Sequence, residues 1–183
     1  MPGRAPTRRS VLCGACALLA PLAVGRALAQ SASRWIELHN INTRETLKVT
    51  FHDGKDFLPE AVAKLQHLMR DFRTGEEHQI DTRLYLLLTD LASQAGREPV
   101  YDLISGYRSP QTNGKLKAQG HAVAEHSQHM EGRAMDVRLH DVPLDAFRDL
   151  ALAAKRGGVG YYPRSKWVHV DTGRVRQWSE TAR

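Results

Sequence analysis

His129 and Asp136 stand seven residues apart in Ser127-Gln128-His129-Met130-Glu131-Gly132-Arg133-Ala134-Met135-Asp136, and a second histidine, His169, follows in Trp167-Val168-His169-Val170-Asp171. Two imidazoles and a carboxylate are the donor set of a catalytic zinc ion that keeps a fourth position for water. Hydrolysis is therefore the first chemistry to weigh. Spacing alone leaves the matter open, because a chain with nine histidines often places one near an aspartate by chance.

The elements that must carry these residues begin after an export signal. Arg8 and Arg9 precede an apolar run from Val11 to Val24, and Ala27-Leu28-Ala29 has the small-x-small pattern of a cleavage site. Residues 1–29 are expected to be a twin-arginine signal peptide, and residues 30–183 one exported domain. The run is shorter than the roughly 20 residues of a membrane span, so no stable membrane insertion is expected once the signal is cut. Cys13 and Cys16, the only cysteines, lie within the signal. Neither disulfides nor thiolate ligands then remain for the exported chain.

Export also changes the meaning of the charge. The chain carries a net +6, from 26 basic and 20 acidic side chains. Arg4, Arg8, Arg9 and Arg26 lie in the signal and no acid does, which leaves 22 against 20, a net of +2. No basic stripe of the kind that binds nucleic acid remains.

Residues 34–39 and 46–51 read as a hairpin around Asn40-Ile41-Asn42-Thr43. Pro59 opens a helix whose apolar residues run to Phe72, and a second helix is expected from Asp81 to Gln94. A strand from Val100 to Ile104 ends in a polar turn, and residues 111 to 128 read as mostly irregular. Further strands are expected at 134–139, 168–171 and 175–178, with a helix over 143–155. The expected fold is α+β, with a mainly antiparallel sheet flanked by helices. His129 would sit in a loop, with Asp136 and His169 on neighbouring strands.

The words around the trio are more specific than its spacing. Ser127, His129, Gly132, Ala134 and Asp136 form Ser-x-His-x-x-Gly-x-Ala-x-Asp, which resembles the signature of zinc peptidases that include D-alanyl-D-alanine carboxypeptidases, VanX-type dipeptidases and hedgehog domains. Ser105-Gly106-Tyr107-Arg108-Ser109-Pro110, Gly157-Gly158-Val159-Gly160-Tyr161-Tyr162-Pro163 and Val168-His169-Val170-Asp171-Thr172-Gly173 resemble the YcbK (MepK) group of murein endopeptidases. The likeness runs from about residue 35 to Trp178. It implies a hedgehog/D-Ala-D-Ala peptidase-like fold and a periplasmic, monomeric Zn2+ enzyme that cuts the peptide cross-links of peptidoglycan. By the same likeness His129, Asp136 and His169 bind the metal, and Arg108 stabilises the negative charge of the reaction intermediate.

The general base departs from that pattern. Carboxypeptidases and VanX-like enzymes carry a glutamate three residues before the last ligand, where this chain has Lys166. Asp171 is the nearest substitute, on the same side of a strand as His169. It would act either as the base or as a support for a ligand. Glu125, Glu131, His121 and His126 are flanking alternatives. Two other readings stay open: a carboxypeptidase that trims terminal D-alanine, and a zinc-containing wall-binding module without turnover.

Overall fold

The computed structural model describes residue 3, residues 32–121 and residues 123–180, so the export signal lies outside the described residues. The hairpin forms as its turn chemistry predicts. Strand β1 (Arg34–Asn40) runs antiparallel to β2 (Thr46–His52), and the Asn40 side-chain oxygen accepts from the backbone N–H groups of Asn42 (3.0 Å) and Thr43 (3.2 Å). Along β1, Ile36, Leu38 and Asn40 are buried, while Trp35, Glu37 and His39 alternate onto the other face.

Helix α1 (Pro59–Leu68) starts on a proline, whose missing N–H costs a first turn nothing, and buries Ala61, Leu65 and Leu68. It stops short of the expected Phe72. Helix α2 (Arg83–Gln94) buries Leu84, Tyr85, Leu87, Leu88, Leu91 and Ala92, a broad apolar face that needs a sheet to cover it. That sheet continues with β3 (Val100–Ser105), β4 (Ala134–Leu139), β5 (Gly158–Tyr162), β6 (Trp167–Asp171) and β7 (Arg176–Ser179). Helix α4 (Leu144–Ala154) lies between β4 and β5 in the chain and packs on both and on α2.

Two expectations need refinement. Residues 111–128 begin with most of an unexpected helix, α3 (Pro110–Ala118), capped by Ser109, whose hydroxyl accepts from the Thr112 N–H at 3.2 Å. The cap and Pro110 specify the start, but Leu116 is the segment's only large apolar residue, so no apolar period betrays the helix. The sheet, in order β2-β1-β3-β4-β6-β5-β7, is mixed: four of its six strand pairs are antiparallel and two are parallel. Strands β1 and β3 pair parallel, as do β5 and β7, because the intervening segments return each later strand to the same direction.

Strand alternation divides this sheet into two chemically different faces. Leu38, Tyr101, Leu103, Met135, Val137, Leu139, Val168 and Val170 meet the helices and form the core with Phe147 and the α2 leucines. The opposite face carries His39, Asp102, Asp136, Arg138, His169 and Asp171. At the β4–β6 end this polar face is buried as well, because loops before and after α3 and the 69–81 segment fold over it. Tyr107 N–H donates to the Met69 carbonyl (2.7 Å), Arg108 N–H to that of His129 (3.2 Å) and Asp81 N–H to that of Gly132 (2.9 Å). Gly132 has φ +64°, and a Cβ there would lie 2.2 Å from the Gln79 carbonyl oxygen. Only glycine fits that crossing.

Asp81 ties three segments together. It accepts from the Thr172 hydroxyl (2.7 Å) beyond β6 and from the Arg83 side chain and backbone at the start of α2, while its own N–H holds Gly132. Burial alone would raise its pKa, but the hydrogen bonds from Arg83 and Thr172 outweigh that and bring it to about 2. A depressed folded value gives stability that is complete above the unfolded pKa of about 3.9 and is lost as pH falls through about 2. With an allowance for solvent screening of the exposed Arg83 partner, this group should cost the fold about 1–2 kcal/mol between pH ~5 and ~2. Acid unfolding of the Asp81→Asn variant, followed by circular dichroism, should show a shallower loss over that range. An acid limb as steep as that of the unaltered chain would contradict this role.

Candidate metal centre

The register of β4 against β6 brings two of the trio together before any loop is considered. Asp136 sits directly opposite His169, on the polar face. The third member arrives on a tight turn after α3. Ser127 Oγ accepts from the His129 N–H (3.3 Å), and the N–H groups of Met130 and Gly132 return to the Ser127 and His129 carbonyls (2.9 and 3.3 Å). Ser127 thus shapes the turn that carries His129. All three side chains are nearly closed to solvent, at 3 % exposure for His129, 3 % for Asp136 and 6 % for His169.

Three atoms converge: His129 Nε2, Asp136 Oδ1 and His169 Nδ1, at mutual separations of 3.2, 2.9 and 3.3 Å. A tetrahedral ion with ligand bonds of about 2.0–2.1 Å spaces its ligand atoms about 3.3 Å apart. The far side of each imidazole fixes what the near side offers. His129 Nδ1–H donates to the Gly106 carbonyl (2.7 Å), and His169 Nε2–H donates to Asp171 Oδ2 (3.0 Å). In its neutral form each ring then turns a lone pair towards Asp136 Oδ1, which brings lone pairs of its own. Three acceptors facing one another is a poor hydrogen-bonded core and a good cation site.

Charge agrees with geometry. Burial opposes ionisation of Asp136, yet the His129 and His169 rings outweigh it and hold the carboxyl well below the usual range. Burial pulls the His129 imidazole down. At His169 burial pulls the same way, but Asp136 and Asp171 overcome it and raise the proton affinity of that ring. Two carboxylates thus favour positive charge at this spot.

Asp171 is 0 % exposed, and its oxygens are fully engaged. It accepts from the N–H groups of Gly158 (2.9 Å) and Gly173 (2.8 Å), and from both terminal nitrogens of Arg176 (3.1 and 2.6 Å), besides His169. Burial works against its charge, but these partners outweigh it and depress its pKa strongly. It touches the His169 nitrogen that points away from the convergent atoms. The other residues weighed as a base, Glu125, Glu131, His121 and His126, are all exposed, and Lys166, at the position of the glutamate in carboxypeptidases and VanX-like enzymes, is exposed in a turn with φ +59°.

Arg108 lies in the covering turn and is half-buried beside the centre, where its guanidinium feels the charge of Asp136. Its Nε is buried and has no hydrogen-bond partner, and Nη1 reaches Asn113 Oδ1 only at 3.5 Å. The guanidinium thus keeps donor capacity that the chain itself does not use. The turn itself is anchored by Asp71, 1 % exposed, which accepts from both the N–H (2.9 Å) and the hydroxyl (2.7 Å) of Ser109.

A family model described as peptidoglycan L,D-endopeptidase MepK matches residues 28–178. The chain belongs to this family. Over 162 residues it is 40 % identical to the peptidoglycan L,D-endopeptidase MepK of Escherichia coli (strain K12), which covers 88 % of this chain and 89 % of that protein. Over 146 residues it is 41 % identical to the probable peptidoglycan L,D-endopeptidase MepK of Haemophilus influenzae, covering 79 % of this chain and 78 % of its relative. No solved structure matches the chain. Membership in the MepK family bears out the resemblance seen in the Ser-x-His-x-x-Gly-x-Ala-x-Asp and Gly-Tyr-Arg words.

Three parts of the centre had no signal of their own in the sequence. The Gly106 acceptor is a backbone atom, and Arg176 acts through Asp171 and lies over the Trp178 ring. Trp178 completes a cross-strand row of Asp136, His169, Gly160 and Trp178 over β4, β6, β5 and β7. Its ring lies over Gly160 and 5.0 Å from that of His169, and its N–H donates to the Tyr162 hydroxyl at 2.8 Å. A Cβ at Gly160 would come within 2.6 Å of the indole. Gly160→Ala should therefore displace Trp178, altering the tryptophan fluorescence of a still-folded chain. An unchanged emission spectrum would contradict the close stacking.

Proposed function

We propose that this chain is a zinc-dependent peptidoglycan endopeptidase, held to L,D bonds as the names of its relatives state. The observation that carries the reading is the convergence of His129 Nε2, Asp136 Oδ1 and His169 Nδ1 with both imidazole tautomers set from behind. The donor set and the 2.9–3.3 Å spacings fit zinc. When bound, zinc makes water acidic enough to attack near neutral pH and polarises a scissile carbonyl.

The chain's own residues divide the remaining work. Asp171 orients His169 and raises its basicity as a ligand, a role that suits a carboxylate with no free lone pair on the ligand side. Proton transfer is then not its task. Arg108 offers its guanidinium to the oxygen that gains negative charge in the transition state, where a fixed guanidinium in a partly dry site is most effective. The Tyr162–Trp178 pair and the covering turns limit water around the centre. The substrate class supports work outside the cytoplasm, in the periplasm, and the twin-arginine route rests on Arg8-Arg9 ahead of an apolar run alone. No described helix is long and apolar enough to cross a membrane.

Cross-linked muropeptide dimers of defined linkage test the activity. The zinc-loaded full chain should convert dimers joined through an L,D bond to monomers, read by mass, and leave D,D-linked dimers whole. Release of terminal D-alanine would instead make it a carboxypeptidase, and no product despite one bound zinc would falsify the enzymatic reading.

Two variants separate the supporting roles. Asp171→Asn should weaken zinc binding about 10–100-fold and regain much of its activity in excess zinc. Arg108→Ala should keep its zinc and lose rate by about 10²–10³-fold. Unchanged zinc affinity with activity that no zinc restores would make Asp171 the base, and loss of zinc from Arg108→Ala would make Arg108 a structural support.

A further inference from the structure

The polar sheet face carries a second group of metal-type donors, apart from the catalytic trio. His39 on β1 lies opposite Asp102 on β3, and Asp102 lies opposite Arg138 on β4. His140, one residue beyond β4, is pinned beside them by its N–H to the Val100 carbonyl (3.0 Å). Asp102 Oδ1 stands between two imidazoles, 2.9 Å from His140 Nε2 and 3.9 Å from His39 Nδ1, and the rings meet edge to face at 5.0 Å.

The back of this cluster is organised like that of the catalytic one. His39 Nε2 lies 2.8 Å from Glu37 Oε1, as His169 does from Asp171, so a neutral His39 turns its Nδ1 lone pair towards Asp102. The second Asp102 oxygen is held by Arg138 Nη2 at 3.1 Å, and the second Glu37 oxygen by Lys48 Nζ at 3.4 Å, which leaves Asp102 Oδ1 as the shared acceptor. Two ligands on one ion of this class stand about 3–4 Å apart, according to the angle between their bonds. The spacings of 2.9 and 3.9 Å fall at either end of that range.

We propose that His39, Asp102 and His140 form a second, open site for a divalent transition cation of the zinc or nickel class, with water in its remaining positions. At 31 %, 26 % and 38 % exposure the ligands stand at the surface, and Lys48 and Arg138 place positive charge beside them. Binding is therefore weaker than at the buried trio. The ion clamps β1 to β3 and to the end of β4, at the parallel seam where the first hairpin joins the sheet. None of the catalytic ligands takes part, so this site stands or falls separately from the proposed activity.

Zinc titration of the chelator-stripped full chain by equilibrium dialysis tests it, with circular dichroism to confirm folding of each variant. The unaltered chain should bind two zinc ions, one tight and one weak. His129→Ala should keep the weak ion. His39→Ala and His140→Gln should each weaken that ion by about tenfold or more, keep the tight ion, and leave peptidase activity within about twofold. A single equivalent in the unaltered chain, or a weak ion that binds equally well to both His39→Ala and His140→Gln, would overturn the proposal.

Discussion

Three lone pairs aimed at one point are the constraint on which the rest of this structure depends. His129 Nε2, Asp136 Oδ1 and His169 Nδ1 meet in a nearly dry pocket, and the proton of each ring is already committed, to the Gly106 carbonyl and to Asp171. Facing acceptors repel unless a positive charge lies among them. Much of the surrounding chain serves to keep them in place. Asp171 is held by five donors, and the turn that brings His129 over the sheet is locked by Gly132 passing against the Gln79 carbonyl.

A mixed sheet suits that task. Its apolar face is held by the α2 leucines and Phe147, which makes β4 and β6 rigid, and their opposed residues Asp136 and His169 inherit that rigidity. His129 and Arg108 come from loops, yet those loops are tied to each other and to the 69–81 segment by backbone hydrogen bonds and by the buried Asp71–Ser109 contact. The covering layer thus closes the polar face where chemistry is expected and leaves it open towards β1, where His39, Asp102 and His140 lie.

The residue types of the centre were legible in the sequence, but the directions of their side chains were not. Asp136 and His169 fall on predicted strands, and the words around them point to the family. Period-two alternation places Asp171 on the same side as His169, but it cannot tell which nitrogen of the ring the carboxylate meets. That choice, fixed by the three-dimensional position of Gly158, Gly173 and Arg176, is what separates a support from a base. Helix α3 escaped because its cap is visible while its apolar face is nearly absent. The β1–β3 pairing joins strands separated by a strand and two helices, and no local pattern encodes it. His39 and His140 read as ordinary strand-end polar residues until the parallel register sets them around Asp102.

The central claim is that the trio binds zinc through the atoms named here. Anomalous diffraction at the zinc edge from crystals of the zinc-loaded chain tests it most directly. A strong peak about 2.0–2.2 Å from His129 Nε2, Asp136 Oδ1 and His169 Nδ1 is predicted. Zinc found only elsewhere, or bound through His129 Nδ1 or His169 Nε2 with the contacts to Gly106 and Asp171 broken, would contradict the account.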